Sequence, residues 1–152
     1  MVLVRPLIPP NAGNVARSCA VTGSKLHLVG PFSFSLEEKR LRRAGLDYWS
    51  SLDLELHAGW PEFEAAVVRG QIEKLHLFSG RAQRSVFDAA FRPGDLLVFG
   101  SEAEGLPPAL LAAYPERTVG IPLLAGQRSL NLATAAGIGI YEAIRIASRE
   151  IG

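Results

Sequence analysis

The sequence predicts an α/β domain with a mostly parallel sheet flanked by helices. Three observations lead there. Short apolar runs recur along all 152 residues, helical patterns lie between them, and no long linker, low-complexity tract or internal repeat interrupts the alternation. The length suits a single domain over 1–152, enough chain to bury a core.

The elements follow in order. "VLV" (2–4) reads as the first strand. Pro9-Pro10 breaks what precedes, and a helix is expected over 13–22, with Val15, Ala16, Cys19 and Ala20 forming an apolar stripe at helical spacing. Asn11 or Asn14 suits its start as a cap, and Gly23 its left-handed stop. "LHLV" (26–29), "LELH" (54–57), "KLHLF" (74–78), "LLVFG" (96–100) and "RTVGIPL" (117–123) are the further strands. Helical patterns occupy 36–44, 61–69, 107–113 and 131–149, and Pro107 and Pro108 fit a first turn, where no backbone donor is lost.

Composition excludes some classes. A hydrophobic fraction of 48% with 20% charged residues is that of a globular chain, not a disordered one. Sixteen Lys+Arg against fifteen Asp+Glu leave a formal charge of +1, so a nucleic-acid contact would need a local patch. Cys19 is the lone cysteine; no internal disulfide can form, which suits a reducing compartment. No apolar run approaches the roughly 18 residues of a membrane span, and "MVLVRPLIPPN" lacks the pattern of a signal peptide. A cytoplasmic protein is expected.

In parallel sheets ligands bind beyond the carboxyl ends of the strands, so the loops leading into helices are where chemistry is sought. Asn14 and Arg17 share a face of the first helix, three residues apart, and read either as a cap with a solvated arginine or as site residues. "FGSEAEGLPPALL" (99–111) leaves a strand, with Gly100 free to let a ligand approach the backbone and Gly105 free to turn. Its bland reading leaves Glu102 and Glu104 in water, and its glycine spacing matches no nucleotide-phosphate loop. In "IPLLAGQRSLNLATAAGIGIYEA" (121–143), Ser129 and Asn131 are caps or site groups. Gly137 and Gly139 each cost about 1 kcal/mol in a helix interior, a cost offset by tight packing on the sheet or against a second subunit. "EEKRLRRAGLDYW" (37–49) clusters Lys39, Arg40, Arg42 and Arg43 beside Tyr48 and Trp49, a composition suited to phosphates and unstacked bases or simply to a solvated face. His27, His57 and His76 lie within or beside strands without metal-ligand spacing, so no metal is expected, and no G-x-S-x-G elbow is present.

"NAGNVAR", "FGSEAEGLP" and "IPLLAGQRSLNLATA", in this order and spacing, resemble the three motifs of the SPOUT (trefoil-knot) RNA 2′-O-methyltransferases. "IPPNAGN" and "KRLRRAGLDYW" bring the chain nearer the single-domain enzymes that methylate the wobble cytidine or uridine of tRNA. The resemblance implies a deep C-terminal trefoil knot, S-adenosylmethionine as methyl donor, tRNA as substrate and a homodimer with a shared site. It assigns Arg17, Asn14, Ser129 and Asn131 to catalysis, and Phe78, Ser79, Gly100, Glu102, Ile121, Ser129 and Leu130 to the cofactor. Lys39, Arg40, Arg42, Arg43 and Arg128 are assigned to RNA. Glu104, Ala133, Arg5 and Leu7 depart from the family pattern, where a basic residue, a serine, an acidic and a polar residue are common. The same motifs would serve a methyltransferase acting on ribosomal RNA or another tRNA position; a non-catalytic α/β module would use them only as turns and caps.

Overall fold

The computed structural model describes residues 1–31 and 51–150. The predicted helix at 36–44 and the basic residues Lys39, Arg40, Arg42 and Arg43 lie outside them. Six parallel strands form one sheet: β1 (Val2–Val4), β2 (Leu26–Val29), β3 (Leu54–His57), β4 (Leu75–Phe78), β5 (Leu96–Phe99) and β6 (Thr118–Val119), in the order β3-β2-β1-β5-β4-β6. The described helices are α1 (Pro9–Thr22), α2 (Trp60–Phe63, running on into a wide turn over Glu64–Val68), α3 (Pro108–Ala113) and α4 (Leu132–Glu150).

Strand alternation gives the sheet two apolar faces. Leu3, Leu26, Leu28, Phe78, Leu97 and Phe99 point toward α1 and α4, where Val15, Ala16, Cys19, Ala136 and Ile140 close the core. Val2, Val4, Val29, Leu75, Leu77 and Val98 point the other way, onto Phe63, Val68, Leu106 and Leu110. Cys19 is fully buried on the first face, and burial pushes its thiol up to about 11, which makes it a packing group. The three histidines are buried on strands, as expected.

Two predicted boundaries need correction. The first helix starts at Pro9, not at residue 13, with Ile8 as its cap residue and neither asparagine capping it. The reason is that Pro9 and Pro10 occupy the first helical positions, where a missing N–H leaves nothing unsatisfied. Its end is as expected: Gly23 adopts φ 67°, and the Gly23 and Ser24 amides donate to Ala20 and Cys19. The strand expected over 117–123 shortens to Thr118–Val119, and Pro122 follows in irregular chain.

The chain after β6 is laced to the chain after β4. Gly120 donates to the Arg84 carbonyl and accepts from the Val86 amide. Further on, the Arg128 carbonyl comes over Gly80, so close that a Cβ there would lie 3.4 Å from it. Only then does α4 begin, and it lies on α1 and β5. Gly139 has a definite reason: a Cβ there would meet the Phe78 ring at 3.0 Å and the Phe99 ring at 3.1 Å, two rings stacked at 4.2 Å. Tight packing on the sheet therefore accounts for this glycine. Gly137 has nothing within 4 Å of its would-be Cβ.

Candidate active site

The three motifs meet at the carboxyl ends of the central strands. The Asn131 Oδ1 accepts from the amides of Ala133 (2.9 Å) and Thr134 (3.2 Å), capping α4. Its Nδ2 donates to the Asn11 Oδ1 at 2.9 Å, and the Asn11 Nδ2 donates in turn to the Glu102 Oε1 at 3.0 Å. Glu102 also accepts from the Leu7 amide (2.7 Å) and the Ile8 amide (3.1 Å). One carboxylate thus satisfies the start of α1, where amides lack helical partners and the helix dipole favours negative charge.

This overturns the reading of Glu102 as a carboxylate left in water. Partial burial works to raise its carboxyl, but the hydrogen bonds from Leu7, Asn11, its own amide and Ile8 outweigh that and hold it below the ordinary carboxylate range. Asn11 is 7% exposed and joins the other two motifs. In the sequence alone Asn11 reads only as a cap. A signal existed in the paired asparagines of "NAGN", but the partner of each could come only from the fold.

Gly100 is indispensable for a different reason than a ligand's approach. A Cβ there would lie 1.9 Å from the Gly105 carbon and 2.1 Å from the Leu106 nitrogen. What comes close is the chain's own backbone, because Ser101 and Gly105 exchange two hydrogen bonds (3.1 and 2.9 Å) that fold the second motif back on itself. Gly105 turns at φ 72°, and the Ser101 Oγ accepts from the Glu104 amide. A cleft of about 100 Å³ beside it, between Arg5 and Pro108, is small against the ~300 Å³ of ordinary ligand pockets.

The remaining expected site residues fall into two groups. Phe78 is buried, its ring against Phe99 and Gly139, while Ser79 is half-buried and its hydroxyl accepts from the Arg81 amide. Ile121 is half-buried against the core. In contrast, Asn14 and Arg17 stand on the exposed face of α1, and Arg128, Ser129 and Leu130 lie in an exposed loop. Among the described residues, one backbone–backbone hydrogen bond has both partners within 121–130, from the Gln127 amide to the Leu124 carbonyl. Every residue of 122–130 is exposed, which leaves this segment within reach of a ligand. The exposed segment 122–130, with Ser79 and Gly80 beside it, fits an adenosine cofactor of the kind the resemblance implies.

Residues 1–141 match the SpoU rRNA Methylase family. A tRNA (cytidine(34)-2'-O)-methyltransferase from Burkholderia pseudomallei is 44% identical over 153 residues, which span 100% of this chain and 97% of that protein. A solved structure giving structural insights into the 2-OH methylation of C/U34 on tRNA superposes with a TM-score of 0.85 at 48% identity, covering 95% of this chain and 93% of that one. The SpoU methyltransferase AviRb from Streptomyces viridochromogenes, in complex with the cofactor AdoMet, superposes with a TM-score of 0.77 at 28% identity, over 99% of this chain and 60% of its own. Likeness at this coverage carries the trefoil-knotted architecture expected of the C-terminal part, consistent with the lacing of 79–86 to 120–128.

Proposed function

The chain belongs to the SpoU rRNA methylase family, and we propose on that footing that it methylates the ribose 2′-hydroxyl of the wobble nucleotide, cytidine or uridine 34, of tRNA. The observation that carries this reading is the convergence of all three motifs on Asn11, Glu102 and Asn131, in a chain 44% identical along its whole length to a named cytidine-34 enzyme. The segment 121–130 with Ser79, Gly80 and Leu130 would hold S-adenosylmethionine, which when bound would supply an activated methyl group on a sulfonium.

The chain's own residues then have two tasks: to place the ribose hydroxyl and to manage its proton. Asn131, Asn11 and Glu102 are positioning residues, since their hydrogen bonds tie the start of α1 to the start of α4. Arg17, exposed two turns into α1, is the group offered to the reacting oxygen. An arginine does not act as an ordinary base in proteins, so its role is electrostatic: a planar cation facing the ribose oxygen while the hydroxyl proton passes to solvent water, the new O–C bond replacing the S–C bond and leaving S-adenosylhomocysteine. Asn14, three residues earlier on the same exposed face, and Ser129 orient the ribose. Arg128 with Lys39, Arg40, Arg42 and Arg43 holds RNA phosphates.

A homodimer completes the site, Arg17 of one subunit serving the cofactor of the other. Exposed apolar side chains on α1 and α4 support it: Val21 is 69% and Tyr141 59% exposed, and Ile144 lies one turn beyond Tyr141. No helix among the described residues is long and apolar enough to cross a membrane, and the proposed substrate places the enzyme in the cytoplasm.

The test is methyl transfer from labelled S-adenosylmethionine to total tRNA from a strain lacking this protein, with the product digested and mapped by mass spectrometry. Label on the ribose of nucleotide 34 is the expected result. Label at another tRNA position, or only on ribosomal RNA, would overturn the wobble assignment and keep the reaction. Cofactor binding without transfer to any RNA would overturn the reaction.

A further inference from the structure

We propose that His27, Glu55 and His57 form a binding site for a zinc-class divalent cation, on the sheet edge away from the methyl-transfer site. The site comes from strand geometry. Glu55 and His57 are two residues apart on β3 and so share a face, and β2 pairs in parallel with His27 opposite Glu55. The three side chains therefore project together from adjacent strands. Metal-ligand spacing in the sequence did not show this because the ligands are divided between strands 28 residues apart.

The distances bring one ligand atom of each residue within reach of a single ion. The His27 Nδ1 and His57 Nε2 are 3.1 Å apart, and each lies 3.8 Å from an oxygen of Glu55. Ligands about 2.0–2.1 Å from a tetrahedral zinc are separated by about 3.3–3.4 Å, so the two ring nitrogens already stand near two vertices of such a site, and a small rotation of the Glu55 side chain would bring one oxygen to a third. One imidazole can donate to the other, but at 3.8 Å the carboxylate bonds to neither ring.

The surroundings are those of a prepared site. His27 and His57 are 5% and 3% exposed, and the buried Phe63 ring lies edge-on to both at 5.4 and 5.2 Å, fixing their orientation. Glu55 is partly open to solvent, which leaves a way in and room for a water as fourth ligand. A cation is already drawn there, since the Lys25 Nζ lies 2.9 Å from the Glu55 Oε2 and 3.6 Å from Asp53. Lys25 is half-exposed and can remain on Asp53 when a metal takes Glu55. Two imidazoles with one carboxylate select zinc, cobalt, nickel or copper over magnesium and calcium. The bound ion would clamp β2 to β3, the strands that lead into and out of residues 32–50.

The experiment uses the untagged full-length protein, titrated with Co²⁺ and followed by visible absorption, then with Zn²⁺ in competition. The expected result is one equivalent of Co²⁺ with the intense bands of a tetrahedral site, displaced by Zn²⁺ and unaffected by excess Mg²⁺. Glu55→Gln, a near-isosteric change at a partly exposed position, should weaken binding by at least about tenfold, the lower end of what even supporting residues contribute to metal sites. Lys25→Met should tighten it by removing the competing cation. Zn²⁺ should raise the melting temperature of the wild type more than that of Glu55→Gln. Absence of Co²⁺ binding, an octahedral spectrum, or equal affinity in wild type and Glu55→Gln would overturn the proposal.

Discussion

The start of α1 and the loop at 122–130 both carry motif residues, and they treat them in opposite ways. At the start of α1, Asn11, Glu102 and Asn131 find their partners within the chain, and their polar atoms are engaged in capping and cross-linking. Along 122–130 every residue is exposed. Motif residues are therefore of two kinds, those that build the frame and those that the frame presents. A substitution in the first should change stability, and one in the second should change chemistry.

The contrast breaks most completely at Gly100. Gly100→Ala puts a methyl group 1.9 Å from the Gly105 backbone, which cannot move without opening the Ser101–Gly105 turn. Denaturant titration should show a loss of more than about 4 kcal/mol, or no folded protein. Next is Arg17→Ala, which should lower single-turnover methyl transfer by about 10²–10³-fold, the size of losing one oriented charge stabiliser. Its stability should stay within ~1 kcal/mol of wild type, because the contacts of an exposed charged side chain are worth little. Arg17→Lys should recover only part of the rate, since the charge returns without the planar fork.

Asn131→Ala should cost about 1–3 kcal/mol in chemical denaturation, from the lost cap of α4 and the unpaired Asn11. Glu102 sharpens the same point through pH. Its carboxyl titrates lower in the folded state than its ordinary value of 4.5, so its contribution is fully present above that value and is lost as pH falls through the folded-state value. Glu102→Gln should be less stable than wild type at neutral pH, and the gap between them should narrow under acid, as read from melting temperatures across pH 3–7 (roughly, a span that brackets ordinary carboxyl titration). The smallest effect belongs to Ser129→Ala, an exposed loop position whose stability change should stay within about 0.5 kcal/mol.

Much of the fold is legible in the sequence because each strand is an apolar run such as "LHLV" or "LLVF", bounded by turn residues. The helix end at Gly23 is equally plain, since a left-handed stop is a local requirement. What escapes is non-local. Ile8 has no cap of its own because Glu102, 94 residues away, supplies one. Gly100 reads as room for a ligand, when the crowding group is the chain's own turn. His27, Glu55 and His57 look unrelated until the register of β2 and β3 brings them side by side. Nor does periodicity report lacing: the bonds between Gly120 and residues 84–86 come only once both segments are folded.

The measurement that tests the division most directly sets Asn131→Ala beside Arg17→Ala, with the melting temperature and single-turnover methyl transfer to the same tRNA read for both. Asn131→Ala should melt lower than wild type, and Arg17→Ala should stay close to the wild-type melting temperature while losing turnover. An Arg17→Ala protein that melts as low as Asn131→Ala would contradict that division, as would an Asn131→Ala protein that keeps its stability and loses the reaction.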